Sequence, residues 1–365
     1  MEATGTQSVL DTPLADLHRS AGANLGVWFG CVLPDDFGDW RREYFFAKQS
    51  IALIDKTHRA YLSFTGPDRV RYLNAILTNN IKDLALSRGI VSLLLNPQGH
   101  ILAELETYAL PDSLFCISYA MIRERLVETL DKFIIMDDVT LTDDTQRYST
   151  LALEGPAAAK LVSELTAVDL SALPELGMQE ARIGSLACTV SRRSPGKIVS
   201  AEFLIERPHL PEVWNLLLEK TRAAGGGPMG CTALSALRLE QGIPWFSYDF
   251  GDKQIPHEAG LQGSHISYTK GCYTGQEIVE RVRSRGQVNR RRVDLVFDSP
   301  SAPPAGTILT VAGKEVGYVT RSAAPPSLRF AIGMGYARKE ANSLGTRLEW
   351  SGGTATVSKL PDEAL

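Results

Sequence analysis

A pair of matching strand–Gly-Pro–helix segments, 89 residues apart, constrains this 365-residue chain more than any other feature. Tyr61–Val70 reads Y-L-S-F-T-G-P-D-R-V, and Thr150–Lys160 reads T-L-A-L-E-G-P-A-A-A-K. In each, apolar residues alternate (Leu62 and Phe64; Leu151 and Leu153), the period of a half-buried strand. The proline that follows suits a helix start, because its φ is preset and its missing N–H is not needed there. Val70, Leu73, Ile76 and Leu77 then recur at helical spacing, as do Ala157, Leu161 and Leu165.

Further strand patterns follow each helix: Ile90–Asn96, Ile101–Leu110 and Leu114–Tyr119 in the first copy, Leu186–Val190 and Ala201–Ile205 in the second. Helices are predicted near Met121–Phe133 and Leu210–Ala224. Strand–helix–strand–strand–helix is the order of a ferredoxin-like unit. From Arg292 onward, short strands broken by Pro, Gly and Ser predict a small β-barrel. The fold class is therefore α+β: two ferredoxin-like units and a C-terminal β-barrel. The expected domains are a surface arm (1–48), a first unit (49–146), a second unit (147–290) and the barrel (291–365).

Composition excludes several functions. The net charge of −4 excludes a chain that is basic overall, as many nucleic-acid coats are. No apolar run nears the roughly 18 residues of a membrane span. The N-terminus lacks a signal-peptide pattern, so a cytoplasmic protein is expected; a monomer is expected as well. Five cysteines, none in C-x-x-C spacing, argue against a disulfide framework or a thiolate metal site, and no metal is expected. His257 and His265 share a loop near Cys272, but nothing in their spacing favours metal binding.

The chemistry-bearing segment is K-G-C-Y-T-G-Q-E at 270–277. Its glycines permit an irregular loop, and Lys270 stands two residues from Cys272, where a cation favours thiolate. Cys116 and Cys188 lie in apolar strand patterns. Cys231 opens a predicted helix and is the competing reactive thiol; Cys31 is expected to be accessible in the arm. Six arginines fall within 281–292, and an extended 281–285 would place three of them on one face.

This string, followed by Arg281, resembles the folate-binding YgfZ family, which is related to the T-protein of glycine cleavage. The resemblance extends through L-R-L-E-Q-G-I-P at 237–244, I-P-H-E-A-G-L-Q at 255–262, and G-P-D-R-V-R-Y-L-N-A-I-L-T-N-N-I at 66–81. It implies a T-protein-like core around a central channel and tetrahydrofolate or a derivative as cofactor. It also implies folate contacts from Asn96, Glu202, Lys270, Tyr273, Gln276 and Arg281, with Cys272 as the functional centre. The expected role is an accessory protein for iron–sulfur cluster assembly or repair, partnered by that machinery or its client enzymes. In the T-protein, the segment resembling Asn96–Glu104 carries an acid–base aspartate where this chain has Ala103. Glu104 is next to it, but neighbouring strand residues face opposite ways. The resemblance thus leaves catalysis open and leans against it. The alternatives are a folate-dependent aminomethyltransferase-like one-carbon transferase and a tRNA-modification or RNA-binding factor.

Overall fold

The computed structural model describes residues 9–194 and 197–359. Residues 1–8 of the expected arm and 360–365 of the expected barrel lie outside these. The chain clusters into two compact units. One comprises the chain up to Leu73, Ile81–Val91 and Leu105–Ala233; the other comprises Asn74–Asn80, Ser92–Glu104 and Leu234 onward.

In the first unit, a six-stranded sheet runs in the order Met178–Ile183, Leu186–Arg192, Ser200–Glu206, Tyr148–Glu154, Ala52–Asp55, Gly227–Met229. A five-stranded sheet runs Gly89–Leu95, Ile101–Ala109, Leu114–Tyr119, Arg59–Thr65, Thr140–Asp143, and its first two strands continue into the second unit. The repeat is physically similar in its two copies. Gly66 and Gly155 both take positive φ (+94° and +137°), and a Cβ on either would strike a backbone oxygen, Asp138 O at 2.2 Å or Ser50 O at 2.6 Å. Only glycine allows the chain to leave the strand so close to its neighbour.

Alternation along Ser200–Glu206 decides what faces what. Ala201, Phe203 and Ile205 join the helix-backed core with Leu151, Leu153, Val213, Trp214 and Leu217. Leu204 packs instead with Tyr61, Tyr108, Phe115 and Tyr148. Glu202 shares the Leu204 side by strand periodicity.

The stretch before Ile51 departs from the expected surface arm. It contains the helices Ala15–Ser20 and Trp40–Gln49 and an antiparallel hairpin, Asn24–Trp28 with Cys31–Asp36. Leu14, Leu33 and Tyr44 are fully buried. Its glycines and acidic turn obscure this pattern, because the apolar anchors are spaced irregularly between short elements.

In the second unit, six strands close into the expected barrel: Arg290–Phe297, Ile332–Arg338, Lys314–Ala323, Ile308–Val311, Arg347–Trp350 and Gly353–Val357. Val293, Leu295, Phe297, Leu309, Val319, Leu348 and Val357 fill its interior. No helix among the described residues is long and apolar enough to cross a membrane.

Candidate functional site

Two groups of chemically capable side chains stand out, one in each unit. The first is centred on Glu202, which is 2% exposed. Arg59 grips it with both arms of its guanidinium, Nη1 to Oε2 at 2.6 Å and Nη2 to Oε1 at 3.1 Å. Lys56 donates to Oε1 as well. Glu106 lies 3.7 Å from Arg59, accepts from Arg193 Nε at 3.0 Å, and accepts from the Tyr108 hydroxyl at 3.3 Å. Burial alone would raise the Glu202 pKa, but Arg59 and Lys56 outweigh it and hold the carboxyl at about 2. His58, fully enclosed beside them, is kept neutral by burial and by Arg59 and Lys56. The carboxylate is therefore a fixed negative charge inside a cationic cage. Its burial distinguishes it from an exposed strand glutamate.

The second group belongs to the 270–277 segment. Gly275 takes φ +80° and caps the helix Gln276–Arg285. A Cβ there would lie 2.6 Å from the Asn96 carbonyl oxygen, and one on Gly99 would meet Ile278 at 2.9 Å. The turn after Leu95 and the start of the Gln276 helix thus pack against each other. Within that turn, the Asn96 side chain accepts from the His100 N–H at 2.9 Å. Of the residues expected to bind folate, Asn96, Lys270, Tyr273, Gln276 and Arg281 belong to the second unit, and Glu202 to the first.

Lys270 does something the spacing did not suggest. Its Nζ donates to the carbonyls of Asn74, Leu77 and Asn79, at 2.5, 2.5 and 3.1 Å. It therefore ties down the backbone at and beyond the end of the helix Arg69–Ile76, where carbonyls lack helical partners. Burial lowers its pKa to about 8. Among the described residues its hydrogen bonds go to these backbone oxygens and none to Cys272. The Tyr273 ring lies 5.1 Å from that ammonium, and its buried hydroxyl has no hydrogen-bond partner among the described residues.

Cys272 is exposed, whereas Cys31, Cys116, Cys188 and Cys231 are buried. The expected accessibility of Cys31 is corrected: it is 1% exposed, and burial with Asp55 nearby pushes its thiol to about 12. Cys231 is corrected too. It does open the helix Cys231–Glu240, but burial, then Asp55 and Asp35, push its pKa well up rather than down.

Arg281–Arg285 is helical, not extended. Arg281 and Arg285 are therefore one turn apart on an exposed flank, while Arg283 stacks on Tyr268 at 4.2 Å. The left-handed glycines at 275 and 286 bracket a run of good helix formers, a signal the sequence already contained.

A third arrangement went unrecognised in the sequence. His265 Nε2 lies 3.0 Å from Glu104 Oε1, and its Nδ1 lies 2.7 Å from Ser264 Oγ. Both the Glu104 and His265 side chains are largely buried, at 19% and 11% exposure, while Ala103 beside them is enclosed at 1%. The pair is 161 residues apart, so no local spacing reveals it.

Residues 14–267 match the family model described as GCVT N-terminal domain, and residues 290–361 match the glycine cleavage T-protein C-terminal barrel domain. The chain belongs to the glycine cleavage T-protein family. Among its family relatives, the aminomethyltransferase of Streptomyces avermitilis is 26% identical over 92% of this chain and 91% of its own length. That of Moorella thermoacetica is 27% identical over 96% of each. The crystal structure of the glycine cleavage system aminomethyltransferase T from Bartonella henselae, at 22% identity, superposes with a TM-score of 0.88 over 97% of this chain and 98% of that one. It shares the expected T-protein fold. These relatives overturn the main functional expectation, an iron–sulfur assembly or repair factor: matched along nearly their whole length, they are aminomethyltransferases.

Proposed function

We propose that this T-protein family chain is a folate-dependent one-carbon transferase of the aminomethyltransferase kind, with tetrahydrofolate as acceptor. The observation that carries the reading is the match to aminomethyltransferases over more than nine-tenths of the chain. Individual side chains suited to a folate support it. Glu202 is an ionised acceptor able to take N–H bonds from a pterin edge, and the buried Tyr273 hydroxyl lacks a partner among the described residues. Asn96, Lys270 and Gln276 frame the Tyr273 segment, and the exposed Arg281 suits a carboxylate tail. Within the family, the K-G-C-Y-T-G-Q-E string favours a place near the folate-binding YgfZ branch.

Ala103 offers no proton, so the acid–base work falls to a neighbour. We assign it to the hydrogen-bonded pair Glu104 and His265, which can hold a proton between carboxylate and imidazole in a largely dry setting. Supplied with an aminomethylated carrier protein and tetrahydrofolate, the purified chain is expected to form methylenetetrahydrofolate and release ammonia. His265→Gln is expected to slow this by about 10²–10⁴-fold. Absence of product, where a family aminomethyltransferase turns over in the same mixture, would reject the reading.

Cys272 is carried forward as the reactive thiol of the chain. Iodoacetamide labelling followed by peptide mass spectrometry is expected to modify Cys272 faster than each buried cysteine, on the order of 100-fold or more. Labelling of Cys231 at a comparable rate would refute this.

A further inference from the structure

We infer that a cavity within the first unit is an anion site, taking the carboxylate or phosphate group of a molecule about the size of benzene or smaller. The cavity measures about 180 Å³, compared with roughly 150 Å³ for an engineered protein cavity that holds benzene. Three guanidinium-bearing residues line it: Arg59, Arg123 and Arg207.

Their charges are unequally matched. Arg59 is taken up by Glu202 and Glu106. Arg123 meets Asp143 at 3.5 Å and Glu124 at 3.8 Å. Arg207 has no carboxylate partner among the described residues. Its guanidinium makes one long hydrogen bond, 3.5 Å, to the Thr145 carbonyl. Arg207 is also half-buried, and burial lowers its pKa, the direction expected of a cation withdrawn from water without a counter-charge.

Two acidic residues line the cavity as well, but their side chains are 77% (Asp11) and 91% (Glu124) exposed. Solvated carboxylates at that exposure neutralise a neighbouring cation only weakly. An oxyanion entering the cavity finds a planar guanidinium whose donors are nearly all free for charge-assisted bonds. Met121 supplies an apolar part of the wall, which suits a ligand with a small organic body. The site does not rest on the one-carbon reading, in which neither Arg123 nor Arg207 has a part.

Calorimetric titration of the full chain with inorganic phosphate, and separately with benzoate, is expected to show one saturable site for at least one of them. The tighter binder identifies whether phosphate or carboxylate is the preferred group. Benzyl alcohol, similar in size but uncharged, is expected not to bind. Arg207→Gln is expected to weaken binding by about tenfold or more at an unchanged melting temperature. The Met121 methyl resonance, followed in the wild-type protein, is expected to shift along the same binding curve. Failure of both anions to saturate, undiminished binding by Arg207→Gln, equal binding of benzyl alcohol, or an unmoved Met121 signal would each overturn the assignment.

Discussion

Glu202→Ala is expected to cost about 3–5 kcal/mol of stability, because it leaves Lys56 and Arg59 buried without their shared counter-charge. An exposed ion pair would cost at most about 1 kcal/mol, so the two cases separate cleanly in urea unfolding. The pH dependence provides an independent check. The folded-state pKa of Glu202 lies below its ordinary value of 4.5, at about 2. A depressed carboxyl pKa means the unfolded chain binds the proton more readily. The stabilisation is therefore complete above the ordinary value and fades as the pH falls from about 4.5 towards 2. Glu202→Gln is expected to lose that part of the acid sensitivity while keeping most of the side chain's volume. A cost below about 1 kcal/mol for Glu202→Ala, with an unchanged acid limb, would show that the cage is not an energetic unit.

Asp249→Ala is expected to be of similar size, about 3–5 kcal/mol, in the second unit. Asp249 is 1% exposed, and its carboxylate accepts four hydrogen bonds from described residues. Arg321 donates to it through Nε at 3.0 Å and Nη2 at 2.6 Å, Thr320 Oγ1 at 2.7 Å, and the Trp245 N–H at 2.8 Å. Arg321 in turn lies 4.2 Å over the Trp245 ring. Removing the carboxylate strands a buried guanidinium and a backbone N–H at once. Asp249→Asn retains one carbonyl acceptor and is expected to lose less. Equal unfolding midpoints for Asp249→Ala and wild type would contradict this account.

Much of the fold was legible in local pattern. Alternation in Leu114–Tyr119 and Ile308–Val311 gives strands at the bounds the structure has. The paired Gly-Pro corners mark where strand becomes helix, because a positive φ and a preset proline φ act within a few residues. Less regular segments resisted. Met178–Ile183 exposes Gln179, Glu180 and Arg182, so its strand character is carried by pairing with Leu186–Arg192 rather than by apolar alternation. The helix Gln276–Arg285 reads ambiguously because it buries only Val279.

The candidate sites divide along the same line. The K-G-C-Y-T-G-Q-E string was legible as a special loop, since one glycine requirement is local: Gly275 takes a φ of +80°. What each charge does there was not legible. Lys270 stands two residues from Cys272 in the chain, yet spends its ammonium on a carbonyl 196 residues away. Glu202 finds Lys56 across 146 residues, and His265 finds Glu104 across 161.

By itself, then, the sequence determined the alternating strands, the repeated corner and the barrel, all set by short-range sterics and by patterns of apolar residues. Only the tertiary structure decided which thiols are buried, which cations are spent and which carboxylates stay ionised. Coulomb attraction and desolvation depend on distance and burial in space, and residues far apart in the chain supply both.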